Sequence, residues 1–234
     1  MGKAALKRRP RIAVVLLSGG LDSATTLYLA KHQGYRPHAL IFDYHQRHRK
    51  ETHFAKRLAR GAHVPSTVLR FGLPWGGSAL LDTSKALPKS RDLRAIGRGI
   101  PSTYVPARNT IFLSLGLSYA EALGAQAIFI GANALDFSGY PDCRPVYYKA
   151  FQRMASVATK AGVEGKSIRV QTPLLKKSKA QIIRLGRRLG VPFQWTWSCY
   201  AGKSKPCGIC DSCILRAKGF QQAGVLDPAQ HHGN

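Results

Sequence analysis

The chain has 234 residues, of which 44% are hydrophobic and 20% are charged. This composition is typical of a folded globular protein and excludes a disordered one. Its 36 basic residues outnumber its 11 acidic residues, and the net charge of +25 favours an anionic ligand while leaving direct nucleic-acid binding open. No apolar run approaches the roughly 18 residues that span a membrane, and the run at residues 12–17 is too short for a signal peptide. We therefore expect a cytoplasmic protein with no membrane partner.

Short apolar runs that are typical of β-strands alternate along the chain with amphipathic stretches that are typical of helices. The strands are predicted at residues 12–17, 38–42, 67–69, 127–130 and 168–170. The helices are predicted at residues 21–32, 47–60, 110–123, 147–161 and 179–189. This alternation indicates an α/β fold with a doubly wound, five-stranded parallel sheet.

The rest of the chain departs from this alternation in three places. We expect a basic arm at residues 1–10, an α/β domain at residues 11–194, a small cysteine-rich element at residues 195–222 and a tail at residues 223–234. Inside the domain, residues 72–104 form a long connection rich in Gly, Pro and Ser. Such connections are often lids or substrate walls, and an insertion without catalytic use is the alternative.

The stretch SGGLDSATT, at residues 18–26, directly follows the first predicted strand. Ligands of parallel sheets bind beyond the carboxyl ends of strands, where amides at the start of the next helix face outward. Gly19 and Gly20 allow an anion to approach the backbone, and Asp22 fits there if Mg²⁺ bridges it to a phosphate. Three hydroxyls share the turn, those of Ser18, Ser23 and Thr25. The stretch predicts a phosphate-binding loop that is neither a Walker loop nor a dinucleotide fingerprint.

Four of the five cysteines fall in CYAGKSKPCGICDSC, with the spacing C-x7-C-x2-C-x2-C. In a chain without an export signal, such a cluster indicates a metal site or reactive thiols rather than disulfides. Four thiolates suit tetrahedral Zn²⁺ in a closed structural site, whereas an iron–sulfur cluster and a redox dithiol are the alternatives. The expected metal ligands are Cys199, Cys207, Cys210 and Cys213.

The SGGLDS loop resembles the pyrophosphate-binding loop of the N-type ATP pyrophosphatases, which cleave ATP between its α and β phosphates. Three further stretches narrow the resemblance, namely FDYHQRHRKE, YVPARN and GANALDFSGYPDCRP. With the four cysteines, they are similar to the 7-cyano-7-deazaguanine synthase family of the queuosine pathway, over residues 12–220. The chain departs from the family pattern at Leu21, where Gln is usual, and at His45 and Ala107, where Gly is usual.

The resemblance implies a sheet of the adenine nucleotide alpha-hydrolase-like type and an ATP-dependent carbon–nitrogen ligase. ATP would adenylate the carboxylate of 7-carboxy-7-deazaguanine, and ammonia would displace AMP to give the amide. A second ATP would activate the amide oxygen, and loss of AMP would leave the nitrile of 7-cyano-7-deazaguanine. The resemblance further implies Mg²⁺ with the ATP, a structural Zn²⁺ and a homodimer.

The same resemblance assigns roles to individual residues. Asp22, near Mg²⁺, and the cations Lys179 and Arg108 are the expected catalytic residues, because the cations would stabilise charge as pyrophosphate departs. The expected ATP-binding residues are Leu17, Ser18, Gly19, Gly20, Leu21, Asp22, Ser23, Ala24, Thr25, Thr26 and Leu27. The expected substrate-binding residues are Asp43, Gln46, Asp136, Ser138, Tyr140, Asp142 and Arg144.

Two other functions fit parts of the sequence. A tRNA-modifying sulfur transferase on the same scaffold would explain the positive charge and would use Cys143, the cysteine outside the cluster, as a sulfur carrier. A zinc-binding nucleic-acid module without enzyme activity would leave the phosphate loop unexplained. We favour the synthase because of the DFSGYPDCR stretch, and we favour a buried Cys143 without a covalent role.

Overall fold

A computed structural model describes residues 10–93, 96, 99–133 and 139–229 of the protein. Two of the predicted substrate-binding residues, Asp136 and Ser138, lie outside the described residues, as does the predicted arm apart from Pro10. The strands are β1 (Arg11–Leu16), β2 (Tyr35–Asp43), β3 (Ser66–Arg70), β4 (Ala127–Ile130) and β5 (Arg169–Gln171). They form one parallel sheet in the order β3-β2-β1-β4-β5, which confirms the predicted fold class.

Helices cover both faces of this sheet. They are α1 (Leu21–His32), α2 (Lys50–Gly61), α3 (Arg108–Ala122), α4 (Pro145–Ala158), α5 (Lys160–Val163), α6 (Lys179–Arg188) and α7 (Asp211–Ala223). Single 3-10 turns occur at Pro141–Cys143 and Phe193–Trp195. Within the described ranges, none of the helices has the length and apolar character needed to cross a membrane.

The central strand β1 explains why the sheet is buried on both sides. Its sequence RIAVVL is almost wholly apolar, as expected of a strand covered on both faces. Successive side chains point to opposite faces, so Val14 and Leu16 join one hydrophobic core while Ala13 and Val15 join the other. The strand order reverses between β1 and β4, and such a point is where open α/β sheets bind ligands.

Two predicted helices differ from the observed ones for local reasons. The helix expected at residues 47–60 begins at Lys50, because the Arg47 side chain donates to the carbonyl oxygens of Ala79 and Lys85 and holds its own segment as a loop. The helix expected at residues 147–161 is divided into α4 and α5. Thr159 adopts an extended backbone between them, and its hydroxyl caps α5 by accepting a hydrogen bond from Gly162 N at 3.0 Å.

Both positions where the resembling family carries Gly have left-handed backbones. The φ angles are 58° at His45 and 50° at Ala107, and Ala107 immediately precedes α3. A side chain at such an angle costs roughly 1–2 kcal/mol, which Gly avoids. The left-handed backbone therefore explains why the resembling family carries glycine at these two positions.

We expect Ala107→Gly to raise the free energy of unfolding by about 0.5–1 kcal/mol, because it relieves the left-handed strain at some cost in unfolded-state entropy. Urea denaturation followed by circular dichroism measures this change. The matched control is Ala150→Gly, at an exposed position inside α4, which should lower stability by about 1 kcal/mol. Equal destabilisation by both substitutions would contradict the prediction.

Candidate active site

A cavity of about 260 Å³ opens where β1, β2 and β4 end. Its floor includes Leu16, Phe42 and Ile130, the last or nearly last residues of these strands. Its walls come from the phosphate loop, the start of α3, the connection at residues 72–104 and the cysteine-rich element. A volume of this order accommodates a small organic ligand.

The predicted phosphate loop forms one side of the cavity and is held by its own hydroxyls. The Ser18 hydroxyl donates to Ser23 Oγ at 3.1 Å, and Ser23 Oγ donates to the Gly20 carbonyl oxygen at 3.0 Å. Gly19 has a φ of +84°, and a Cβ there would lie 2.3 Å from the carbonyl oxygen of Glu51. The loop thus needs glycine both for its backbone angle and for its contact with α2.

The predicted ATP-binding residues divide into two groups. Six of them line the cavity: Leu17, Ser18, Gly20, Leu21, Asp22 and Ser23. The others, Gly19, Ala24, Thr25, Thr26 and Leu27, are absent from its lining. The hydroxyls of Thr25 and Thr26 donate to backbone carbonyl oxygens one turn earlier in α1, so they serve the helix.

The predicted catalytic residues Asp22 and Lys179 meet in the cavity. Lys179 Nζ donates to both carboxylate oxygens of Asp22, at 2.7 and 2.9 Å, although the two residues are 157 positions apart. Their side chains are only 12% and 18% exposed. Ser178 caps α6 immediately before Lys179 through a capping box, which fixes the lysine at the start of that helix.

The third predicted catalytic residue, Arg108, opens α3 and also lines the cavity. Its Nη1 donates to the Tyr44 hydroxyl at 3.3 Å. Burial lowers the pKa of Arg108, but nearby Tyr44, Tyr140 and Glu51 outweigh burial, and the net shift is upward. Arg108 is therefore a permanent cation facing the cavity.

The predicted substrate-binding residues are only partly brought together. Gln46 and Tyr140 line the cavity, whereas Asp43, Asp142 and Arg144 do not. Asp43 is buried, and its Oδ2 lies 3.9 Å from Nε of Arg70 on β3. The Asp142 carboxylate accepts a hydrogen bond from Asn109 N at 2.9 Å and so caps the start of α3. Arg144 is exposed.

Cys143 lines the cavity but has the properties of a neutral thiol. Burial and, next, the Asp142 carboxylate raise its pKa to about 11. Its sulfur accepts a hydrogen bond from Asn109 Nδ2 at 3.3 Å. A thiol protonated at neutral pH is a poor nucleophile, which favours the interpretation of Cys143 as a packing residue.

Several lining residues were not predicted as site residues: His48, Glu51, Asn133, Trp197, Tyr200 and Arg216. Glu51 ends the FDYHQRHRKE stretch and Asn133 lies in GANALDF, so membership of a motif was the available signal. Tyr200 lies in the cysteine stretch, whereas Trp197 lies in no motif, and aromatic residues are as frequent in cores as in ligand sites. Arg216 is buried and makes a two-point ion pair with Asp227, in the predicted tail.

The four predicted metal ligands do form one cluster. The sulfur atoms of Cys199, Cys207, Cys210 and Cys213 all lie within 4.8 Å of one another. Tetrahedral Zn²⁺ with bonds of about 2.3 Å places its sulfur ligands about 3.8 Å apart, so the group fits. Hydrogen bonds from the Cys210 and Cys213 side chains lower the pKa of Cys199, and the amides of Cys207 and Ala201 also donate to its sulfur, at 3.3 and 3.4 Å.

The cysteine element is joined to the connection at residues 72–104. Lys89 forms an isolated antiparallel bridge with Cys210, and Ser90 N donates to the Ile209 carbonyl oxygen at 2.8 Å. Arg91 pairs with the buried Asp211 at the start of α7. Leu80, from the same connection, lines the cavity.

The model of the family described as "Queuosine biosynthesis protein QueC" matches residues 12–224. The 7-cyano-7-deazaguanine synthase of Trichodesmium erythraeum (strain IMS101) is 53% identical over 221 residues, 92% of this chain and 98% of the relative. That of Stutzerimonas stutzeri (strain A1501) is 55% identical over 223 residues, 94% and 97% of the two chains. Among solved structures, NMN synthetase from Francisella tularensis has 17% identity and a TM-score of 0.49, covering 94% of this chain and 79% of that one.

Proposed function

The chain belongs to the family of queuosine biosynthesis protein QueC, and we propose that it converts 7-carboxy-7-deazaguanine, ATP and ammonia to 7-cyano-7-deazaguanine. The observation that carries this proposal is a single cavity with two chemical characters. The phosphate loop and the cations Lys179 and Arg108 line it, as do aromatic side chains such as Phe112 and Tyr140. Such a cavity suits a triphosphate and a flat heteroaromatic ring together.

In the proposed reaction, a carboxylate oxygen of the substrate attacks the α-phosphorus of ATP and pyrophosphate leaves. The loop amides, Lys179 and Arg108 stabilise the charge that develops on the phosphates. Ammonia then attacks the adenylated carbonyl carbon, and AMP leaves with the electron pair of the broken carbon–oxygen bond. The amide oxygen repeats the attack on a second ATP in the same geometry, and departure of the second AMP leaves the nitrile.

Two metal ions are part of the proposal. Asp22 would hold Mg²⁺, because a carboxylate beside the phosphate loop is the oxygen ligand that this ion takes, and the ion would neutralise phosphate charge. The four cysteines would hold Zn²⁺ in a closed site, where it stabilises structure and has no open position for a substrate.

We further propose a cytoplasmic homodimer, which light scattering on the purified protein would test by returning twice the mass of one chain.

Mass spectrometry of a reaction with 7-carboxy-7-deazaguanine, ATP, Mg²⁺ and ammonium tests the proposed function. We expect two AMP and two pyrophosphate for each nitrile, because each activation consumes one ATP. Without ammonium, the nitrile should be absent, while exchange of pyrophosphate into ATP that depends on 7-carboxy-7-deazaguanine continues. ATP cleavage without nitrile would reject the substrate, and no AMP from a folded, metal-loaded sample would reject the enzyme assignment.

A further inference from the structure

Two carboxylates line the described part of the cavity, those of Asp22 and Glu51, and their environments differ. Both oxygens of Asp22 accept hydrogen bonds from Lys179. The Glu51 carboxylate receives no hydrogen bond from any described residue. Glu51 is therefore a cavity carboxylate whose oxygens are not occupied by any described residue.

The position of Glu51 is fixed by the packing of α2 against the phosphate loop. The carbonyl oxygen of Glu51 lies only 2.3 Å from the point where a Cβ on Gly19 would be. The helix and the loop are therefore in direct contact. Arg108 of α3 is the cation that acts on Glu51, and the phenols of Tyr44 and Tyr200 also face it. The described part of the cavity has further titratable lining residues. They are His48, from the segment before α2, the pair of Asp22 with Lys179, and Tyr140, Cys143, Arg47 and Arg216.

The surroundings of Glu51 give it the proton affinity of a base at neutral pH. Burial raises its pKa to about 7, and the positive charge of Arg108 opposes this shift. Such a carboxyl group can accept a proton and release it again near neutral pH. The neighbouring thiol and phenols cannot do so, because burial raises the pKa of Cys143, Tyr44, Tyr140 and Tyr200.

We propose that Glu51 is the proton acceptor for the substrate nitrogen, an inference that rests on the proposed function. After ammonia has attacked the first adenylate, the new C–N⁺H₃ group passes one proton to the Glu51 carboxylate as AMP leaves, which gives the neutral amide. After the amide oxygen has been adenylated, the nitrogen loses two protons in all. Glu51 takes these protons one at a time and releases each to water. When the second proton leaves, the nitrogen supplies the electron pair for the third carbon–nitrogen bond as the C–O bond to AMP breaks.

The test starts from the primary amide of 7-deazaguanine, so that only the second activation is measured and the ionisation of ammonium does not contribute. For the wild type with ATP, kcat for nitrile formation should rise as pH increases through about 7 and then level off. We expect Glu51→Gln to lower kcat about 100-fold and to remove this rise. Glu51→Asp keeps a carboxylate, so it should recover part of the rate and the pH dependence.

A second measurement separates this role from a structural one. Exchange of pyrophosphate into ATP can be measured with 7-carboxy-7-deazaguanine and without ammonium. This exchange requires no proton acceptor, because the substrate carboxylate is already ionised. In Glu51→Gln this exchange should fall far less than nitrile formation. The matched control is Glu164→Gln, the same chemical change at an exposed residue that pairs with Lys160 and Lys166.

The outcomes distinguish the two proposals. Wild-type protein without exchange and without nitrile would reject the proposed function itself. Active wild type together with a Glu51→Gln variant that keeps the rate and the pH rise would overturn the role of Glu51 alone. Equal loss of exchange and nitrile formation in both Glu51 variants would overturn it as well, because the carboxylate would then only hold the ATP site together.

Discussion

Lys179→Ala is expected to lower kcat for nitrile formation by about 10²- to 10³-fold. The ammonium group of Lys179 lies inside the cavity, 2.7 and 2.9 Å from the two oxygens of Asp22, and its side chain is 12% exposed. At such a position a cation acts through little solvent, so its attraction for the departing pyrophosphate is screened weakly. Both activations in the proposed reaction release pyrophosphate, and both would lose this stabilisation.

Exchange of pyrophosphate into ATP and the rate of nitrile formation should fall together in Lys179→Ala. The matched control is Lys176→Ala, which removes an exposed lysine three positions earlier. Removal of Lys179 leaves the Asp22 carboxylate without this partner, which can lower stability. The double variant Lys179→Ala with Asp22→Ala should therefore fold and remain inactive. Thermal denaturation and the same assays would show this. Activity of Lys179→Ala within tenfold of the wild type would refute a role at the reacting phosphates.

Removal of the metal from the four-cysteine cluster is expected to abolish activity without unfolding the sheet. Cys199 and Cys210 are 1% exposed, and without the proposed ion the four thiols lose the bonds that would hold this element together. The bridge between Lys89 and Cys210 and the ion pair of Arg91 with Asp211 depend on that element. Loss of the metal should therefore release residues 89–91 and loosen the connection that contributes Leu80 to the cavity.

Cys210→Ser provides this test without a chelator. Metal analysis should find one zinc per chain in the wild type and almost none in the variant. Hydrogen–deuterium exchange should accelerate at residues 89–91 and 199–213, while the central strands β1 and β4 stay protected. Cys143→Ser is the matched control, since it changes a cysteine outside the cluster and should keep the zinc. A metal-free variant with full activity and unchanged protection would contradict the prediction.

The features that the sequence predicted well are those encoded by neighbouring residues. The apolar runs locate all five strands, the glycine-rich turn locates a loop that lines the cavity, and the Cys-x2-Cys steps locate the cluster. Division of the helix around Thr159 was missed, because amphipathic periodicity does not register a single extended residue. Ala107 was recognised as a departure from a glycine pattern, and its φ of 50° gives the physical reason.

The rest of the site depends on contacts between distant parts of the chain. Glu51, Trp197 and Arg216 lie in three segments that only the folded sheet brings to one cavity. Asp142 shows the converse difficulty, because a carboxylate in a polar motif serves equally well as a ligand or as a helix cap. Here it accepts the amide hydrogen bond of Asn109 and does not line the cavity.

The ion pair of Arg91 with Asp211 joins residues that are 120 positions apart, and this separation bears on how the chain is made. All five strands have been synthesised once Gln171 has been added, so the sheet and the phosphate loop can form while translation continues. The contacts that join residues 89–91 to the cysteine element form only after Ile209, Cys210 and Asp211 have followed. In a nascent chain, the sheet can therefore form before the contacts between residues 89–91 and the start of helix α7.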